Sequence, residues 1–240
     1  IKIENMTLQH RRTLAEDRKA DFKLPPQKYG IVTVASGEGL ISAFREIGAD
    51  VVIPGGQTMN PSAQDFLDAF GKLNAGHILV FPNNPNIRMA AEQAATLYQG
   101  GDVEVVPSAT IGEGYYGIAS LDRDNPDEEA VLADVREIMS GVTTALVSTA
   151  IRDTESGGVK VHKGHFVGFS GKEMLSDSAV RAEATLELLE KLDAGSRDVM
   201  LLFRGMDVPS GEWEALQAEL SEKYPLTEIM FIDGLQPVYD

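Results

Sequence analysis

Short apolar runs alternate with longer amphipathic segments in the first half of the chain. The run Ile-Val-Thr-Val at 31–34 is typical of a strand, and Leu40, Phe44 and Ile47 then share one face of a predicted helix. Because the runs are largely apolar rather than alternating between apolar and polar positions, they predict strands buried on both faces of a parallel sheet, in a doubly wound α/β layer. The further predicted strands are 51–53, 78–81 and 103–106, and the further predicted helices are 62–70 and 87–98.

In the second half of the chain, the pattern predicts helices mixed with antiparallel strands. A helix is predicted to start after a cap at Asp124 or Asn125, with Pro126 at its first position. The turn Glu-Ser-Gly-Gly at 155–158 is typical of a hairpin. Together these elements predict an α+β lobe with a mixed sheet. The predicted strands are 143–151, 159–169, 199–203 and 229–232, and the predicted helices are 125–140, 179–192 and 210–223.

These patterns divide the chain into three parts. Residues 1–28 are rich in charge and end near Leu-Pro-Pro, which is typical of the end of a preceding domain followed by a linker. Residues 29–122 form the predicted α/β lobe and 123–240 the predicted α+β lobe, with a cleft between them. The chain begins without Met or a signal-peptide pattern, so we expect it to be a piece of a longer protein.

The charge balance and the absence of cysteine narrow the classes of function. The net charge is −16 over 240 residues, which argues against nucleic acid and anionic lipid as partners. The chain has no cysteine, which excludes disulfides, thiolate metal sites and a cysteine nucleophile, and fits a cytoplasmic protein. No apolar run approaches the roughly 20 residues of a membrane span.

Motifs that would support catalysis are incomplete. Gly37-Glu38-Gly39 follows a strand, as in a dinucleotide-binding motif, but the second strand does not end in the acidic residue that would bind the ribose. These glycines therefore favour a tight turn, which could hold an anion but not a dinucleotide. Ser36 lacks a nucleophile elbow, and no Walker A sequence is present. His162 and His165 lie close in sequence without an evident third ligand. We therefore predict no catalytic residue and no metal site.

Neutral polar residues cluster after the second, third and fourth predicted strands. The carboxyl ends of parallel strands share one edge of a sheet, where ligands bind, although Ser62 and Asn86 also fit the pattern of helix N-caps. Uncharged donors near helix N-termini suit a carboxylate or a phosphate, so we predict an anion-binding edge. The candidate ligand-binding residues are Ser36, Gly37, Thr58, Asn60, Ser62, Asn83, Asn84, Ser108, Thr110 and Gly112.

Four ordered stretches also carry a family resemblance. They read YGIVTVASGEGL at 29–40, GGQTMNPS at 55–62, PNNPN at 82–86 and AAEQAA at 90–95. Together they closely resemble the C-terminal region of the ATP-binding subunit of fatty acid kinases, a dihydroxyacetone-kinase-like family (FakA). The stretch AIRDT at 150–154 also fits, and it adds Arg152 to the candidate ligand-binding residues.

The resemblance implies a DegV-like two-lobed fold and a place in a kinase. The full-length protein would carry an N-terminal kinase domain that binds ATP and Mg²⁺, and it would phosphorylate a fatty acid presented by a separate DegV-type fatty-acid-binding protein. This chain alone would be inactive, would hold no cofactor, and would dock or scaffold that fatty-acid-binding protein beside the kinase domain. A homodimer is a further alternative.

The loops at 57–62 and 107–114 match, in position, the Ser/Thr-rich and Ser/Gly loops that hold the lipid carboxylate in DegV-type proteins. The third loop is rich in Asn and Pro and lacks the His-Ser-Ser pattern of the lipid binders, which favours docking over lipid binding. Two alternatives stay open at this point: a DegV-like domain that binds a small molecule or fatty acid, and a component of a dihydroxyacetone-type kinase.

Overall fold

A parallel four-stranded sheet forms the centre of the first lobe. The computed structural model describes residues 27–56 and 59–237, so most of the predicted linker at 1–28 lies outside the described residues. The strand order is β2-β1-β3-β4, which places β1 between the strands that follow it in sequence. The strands are β1 (Gln27–Ala35), β2 (Val51–Pro54), β3 (Ala75–Phe81) and β4 (Asp102–Val105).

Helices cover both faces of this sheet, as the uninterrupted apolar runs predict. Phe44 and Tyr115 pack with Phe81 on one face, and Phe66 and Phe70 pack with strand residues on the other. The predicted doubly wound α/β layer is therefore confirmed. The helices are α1 (Glu38–Glu46), α2 (Ala63–Phe70), α3 (Pro85–Leu97) and α4 (Ile111–Ala119), and α4 begins inside the loop predicted at 107–114.

Helix α5 (Glu128–Ser140) follows the first lobe and packs back against it. It begins after Asp127, whose carboxylate accepts a hydrogen bond from the backbone N–H of Ala130 at 3.1 Å. The cap predicted at Asp124 or Asn125 is wrong, because the Asn125 side chain instead accepts from the N–H of Asp127 in the turn before the helix. The buried residues of α5 belong to the core that also contains Phe44 and Tyr115. The boundary between the lobes at 122–123 stays a prediction.

The second lobe begins with short antiparallel strands. The predicted hairpin turn is present at Gly157 and Gly158, which both have positive φ and close β6 onto β7. The strand predicted at 159–169 is split by a turn at 162–165, and the strand predicted at 143–151 is shorter, at 146–149. The strands are β5 (Leu146–Thr149), β6 (Thr154–Ser156), β7 (Val159–Val161), β8 (Phe166–Ser170) and β9 (Glu173–Ser178), and β5, β8 and β9 form one sheet in that order.

A separate pair of parallel strands, β10 (Val199–Gly205) and β11 (Glu228–Gln236), completes the lobe. The second lobe therefore contains both antiparallel and parallel strand pairs, but they lie in different sheets. Trp213 and Leu220 from the last helix pack against Phe231 of the final strand. Within the described residues, no helix is long and apolar enough to cross a bilayer. The remaining elements are α6 (Arg181–Lys191), a 3₁₀ turn (Ala194–Ser196) and α7 (Ser210–Lys223).

The end of β11 lies against the start of α1 and joins the two lobes. A Cβ atom on Gly37, where φ is +93°, would fall 2.7 Å from the carbonyl oxygen of Gly234. A Cβ on Gly39 would fall only 1.7 Å from the carbonyl oxygen of Asp233. The Gly-Glu-Gly motif therefore makes room for the last strand of the chain, which explains both glycines without a bound anion.

Candidate ligand-binding cleft

A cleft of about 510 Å³ lies between the two lobes. Its volume is within the range of roughly 300–1,000 Å³ that is usual for ligand pockets. One end of the cleft lies at the carboxyl ends of β1 and β3. Here the strand order reverses, because β2 and β3 lie on opposite sides of β1. Ligands of doubly wound sheets bind at such a switch point. Five of the predicted residues line the cleft: Ser36, Asn83, Asn84, Thr110 and Gly112.

Asn83 anchors the polar end of the cleft. Its side-chain amide donates hydrogen bonds to the Thr33 hydroxyl at 2.8 Å and to the Val34 carbonyl at 2.9 Å. The Ser108 hydroxyl accepts from the Asn83 backbone N–H at 3.0 Å and donates to its Oδ1 at 2.8 Å. Asn83 is 5% exposed and adopts a left-handed φ of 58°, which asparagine tolerates better than most residues. These bonds tie the ends of β1 and β3 to the segment after β4.

The glycine content of α4 follows from this network. A Cβ on Gly114 would lie 1.8 Å from Oδ1 of Asn83, so the helix can approach the asparagine only with glycine at this position. Gly112 and Gly114 thus lie in a helix rather than in the predicted loop. Gly112 lies directly against Thr144 at the border of the cleft, where an added Cβ would lie 3.0 Å from the threonine hydroxyl oxygen.

Two helix N-termini border the same end of the cleft. Asn84 caps α3 by accepting from the N–H of Asn86 at 2.9 Å, so the prediction that Asn86 is the cap is wrong by two residues. Thr110 caps α4 by accepting from the N–H of Glu113, and its hydroxyl lies 2.8 Å from that of Thr144. The partial positive charge of these helix ends favours an anion in the cleft.

The opposite wall of the cleft is apolar and comes from the second lobe. Helix α6 and the residue after it contribute three leucines, and β10 and α7 contribute further large apolar side chains. A cleft with a polar end and a long apolar wall is suited to an amphiphile with an anionic head group and a hydrocarbon tail. The residues of this wall include Leu188, Leu189, Leu192, Leu202, Phe203 and Trp213.

Among the described residues, the charged side chains that line the cleft are Arg181, Arg197, Arg204 and Asp198. The lining therefore has more cations than anions in a chain whose net charge is −16, although Glu212 and Asp233 pair with Arg181 and Arg204. The Arg181 guanidinium lies 2.8 Å from Glu212 and 4.4 Å above the ring of Phe166. Sequence reasoning missed these arginines. Arg181 could have been noticed in the sequence, because it lies in the first turn of a predicted helix. A cation there is unfavourable next to the positive end of the helix dipole, which indicates a compensating contact elsewhere.

The remaining predicted residues lie elsewhere. Ser62 caps α2 through a capping box with Asp65, as its N-cap pattern predicts. Ser108 lies behind the cleft and holds Asn83 in place. Thr58 lies outside the described residues. The others contribute nothing to the lining: Gly37 contacts β11, Asn60 is exposed after β2, and Arg152 is exposed after β5.

Comparison with known proteins places the chain in a family. The model of the FakA-like C-terminal domain of fatty acid kinases matches residues 30–240. The chain belongs to this family. It is therefore a module related to fatty acid kinases, as the four sequence stretches predict.

Relatives of this FakA-like module are longer proteins. Protein YloV of Bacillus subtilis (strain 168) is 39% identical over 248 residues, an alignment that covers 100% of this chain and 43% of YloV. The protein SAR1202 of Staphylococcus aureus (strain MRSA252) is 31% identical over 240 residues, with the same coverage. The chain thus spans less than half the length of the curated relatives that it matches.

A solved structure shares the fold of the module. The Fak B3 protein of Streptococcus pneumoniae, a fatty acid kinase protein crystallised with linoleic acid, superposes with a TM-score of 0.55 at 13% sequence identity. The match covers 89% of this chain and 93% of Fak B3. The predicted DegV-like two-lobed fold is confirmed.

Proposed function

We propose that this chain is a non-catalytic module of a fatty acid kinase that docks the separate, DegV-type fatty-acid-binding protein. The family match over residues 30–240 carries the proposal. The chemistry of the cleft agrees with it, because the described residues that line the cleft include no histidine that could act as a general base, and Asp198 is their one carboxylate. In this proposal, ATP and Mg²⁺ bind to a kinase domain in the longer protein.

Isothermal titration of the purified chain with a DegV-type fatty-acid-binding protein tests the docking function. We expect saturable binding and comigration in size-exclusion chromatography, whether or not the partner carries a fatty acid. An unrelated protein of similar size and acidity serves as the control for nonspecific association. Absence of heat and of comigration at concentrations well above those in the cell would rule out docking by this module.

A second candidate function is binding of a fatty acid by the cleft itself. The observation that favours it is the juxtaposition of leucines from the α6 region with arginines and helix N-termini around one 510 Å³ space. An acyl chain would pack on the leucines, while its carboxylate would accept hydrogen bonds at a polar boundary of the cleft. This function is compatible with docking, since the cleft and an outer surface can act separately.

Native mass spectrometry of the purified chain distinguishes the second function from the first. If the cleft holds an acyl chain, the wild-type protein carries extra mass that is lost in Leu192→Trp, which fills the cleft. Leu97→Trp is the matched control, because Leu97 is 56% exposed and does not line the cleft. A bare wild-type mass after incubation with oleate, or retention of oleate by Leu192→Trp, would exclude binding in this cleft and leave docking unaffected.

A further inference from the structure

Two histidines project from a single β-turn in the second lobe. The backbone N–H of His165 donates to the carbonyl oxygen of His162 at 3.0 Å, which makes them the first and fourth residues of the turn. Gly164, at the third position, has a φ of +85°, as a type II turn requires. The two imidazole rings lie with their centroids 5.0 Å apart. The turn therefore presents both rings on the same side.

Asp177 on the neighbouring strand β9 faces both rings. Its Oδ2 lies 2.8 Å from Nδ1 of His162 and 2.9 Å from Nδ1 of His165. Its Oδ1 accepts from the backbone N–H of His162 at 3.0 Å, which fixes the orientation of the carboxylate. The Asp177 side chain is only 8% exposed, whereas that of His162 is 59% exposed. One ligand atom from each residue lies within 4.8 Å of the others, on a side that is open to solvent.

The turn is held in place from outside the cluster. The Asp153 carboxylate accepts from the backbone N–H of Lys163 at 2.7 Å, and the N–H of Gly164 donates to the carbonyl oxygen of Ala150 at 2.8 Å. These contacts join the turn to the chain around β5 and β6. These contacts fix the backbone of the turn that carries both histidines, as a preorganised site requires.

We propose that His162, His165 and Asp177 bind a zinc ion, with water at the open coordination position. Two imidazoles and one carboxylate are a common donor set for zinc with an exchangeable fourth ligand. Tetrahedral zinc with bonds of about 2.0–2.2 Å separates its ligand atoms by about 3.4 Å. Each Nδ1···Oδ2 distance here, 2.8 Å for His162 and 2.9 Å for His165, is shorter than that by about 0.5 Å, so the Asp177 oxygen must move away from both rings by that amount to admit the ion. Imidazole donors disfavour Mg²⁺ and Ca²⁺ at the same place.

This site is separate from the interlobe cleft, because none of its three residues lines that cleft. Sequence reasoning found the histidine pair but not its third ligand, which lies on another strand. The bound ion would tie the turn between β7 and β8 to β9 and stiffen this part of the second lobe.

Zinc titration of the tag-free chain, stripped with chelator and dialysed, tests the site. We expect one zinc per chain by calorimetry and elemental analysis, and a higher unfolding temperature with zinc. His162→Gln and His165→Gln should each weaken binding by at least about tenfold. His162→Gln is the safer variant for folding, since this side chain is largely exposed. Circular dichroism and thermal unfolding in chelator check that each variant is folded.

His77→Gln is the matched control. Nδ1 of His77 lies 2.9 Å from Glu128 and 3.8 Å from Asp102. His77 therefore has carboxylates beside it, as the proposed site does, but lacks the second imidazole. We expect His77→Gln to bind zinc as the wild type does. The proposal is overturned if no saturable zinc binding occurs, if both folded histidine variants bind zinc as tightly as the wild type, or if excess Mg²⁺ displaces the ion.

Discussion

Gly39 in the first helix and Asp233 in the last strand approach so closely that a Cβ on Gly39 would fall 1.7 Å from the Asp233 carbonyl oxygen. We predict that Gly39→Ala lowers the free energy of unfolding by about 2–4 kcal/mol, because helix α1 or the end of β11 must move to relieve the overlap. Urea denaturation followed by circular dichroism measures this change.

Gly211 provides the control for that substitution. Like Gly39, it is the second residue of a helix, but a Cβ there meets no heavy atom within 4 Å. Gly211→Ala should be neutral or should stabilise the protein by up to about 1 kcal/mol, since alanine restricts the unfolded chain and favours a helix. Equal effects of the two substitutions would show that the junction of β11 with α1 is not tight.

Ser108 supports the polar end of the cleft through Asn83. The serine is 2% exposed, and Ser108→Ala would remove the partner of both the backbone N–H and Oδ1 of Asn83. We predict a loss of about 1–3 kcal/mol in the free energy of unfolding, the usual cost of leaving buried polar groups unpaired. Ser120→Ala, at the exposed end of α4, should change it by less than about 0.5 kcal/mol. A similar effect of both variants in urea denaturation would contradict the role of Ser108.

The parallel lobe could be predicted from the sequence because its central strands, β1 and β3, are buried on both faces. Residues such as Ile31, Leu79 and Val80 are fully buried, and apolar runs of that kind have few alternative structures. The clustering of polar residues at the carboxyl edge of the sheet was also predictable. Asn83, Asn84 and Thr110 meet there because parallel strands all end on one side of the sheet.

The parts that sequence reasoning missed depend on contacts between distant residues. Helix α4 contains several glycines, which are poor helix formers, but Gly114 admits Asn83 and Gly117 admits Met139 and Phe81. The apolar wall and the arginines of the cleft come from the second lobe and become neighbours of the first only when the two lobes pack together, through β11 on α1 and Phe203 of β10 on Tyr115. Asp177 lies on a short polar strand that the apolar pattern does not mark.

Asp65 makes helix α2 sensitive to acid. Its side chain accepts from the Ser62 hydroxyl at 2.7 Å and from the Ser62 N–H at 2.8 Å, and these bonds lower the pKa of Asp65 below its ordinary value. A lowered pKa stabilises the folded state above the unfolded-state pKa of about 4, and this stabilisation is lost as the pH falls through the folded-state pKa. We predict that Asp65→Asn is less stable than the wild type at pH 7 and that the difference shrinks below about pH 4.

A double-mutant cycle with Ser62→Ala identifies the cause of this pH dependence. Ser62→Ala alone should cost about 0.5–2 kcal/mol at pH 7, as the loss of an N-cap does. In the Ser62→Ala background, Asp65→Asn should have a smaller and less pH-dependent effect, because the hydroxyl that contributes most to the lowered pKa is gone. Urea midpoints measured from pH 3 to pH 7 test this, and an unchanged pH dependence would assign it to other groups.

Arg181 connects α6 with α7 and β8, and lysine should not replace it. Its side chain is 10% exposed, its guanidinium lies 2.8 Å from Glu212, and it stacks 4.4 Å above Phe166. Lysine keeps the charge but loses the planar group that makes both contacts, so we predict that Arg181→Lys costs about 1–2 kcal/mol in the free energy of unfolding.

Arg88→Lys is the matched control for Arg181→Lys. Arg88 also pairs with a glutamate, Glu92, at 2.6 Å, but both side chains are about half exposed. Exposed pairs of this kind contribute little, so Arg88→Lys should change the free energy of unfolding by less than about 0.5 kcal/mol. If urea denaturation gives the same small effect for both variants, the stacking of Arg181 on Phe166 does not stabilise the second lobe.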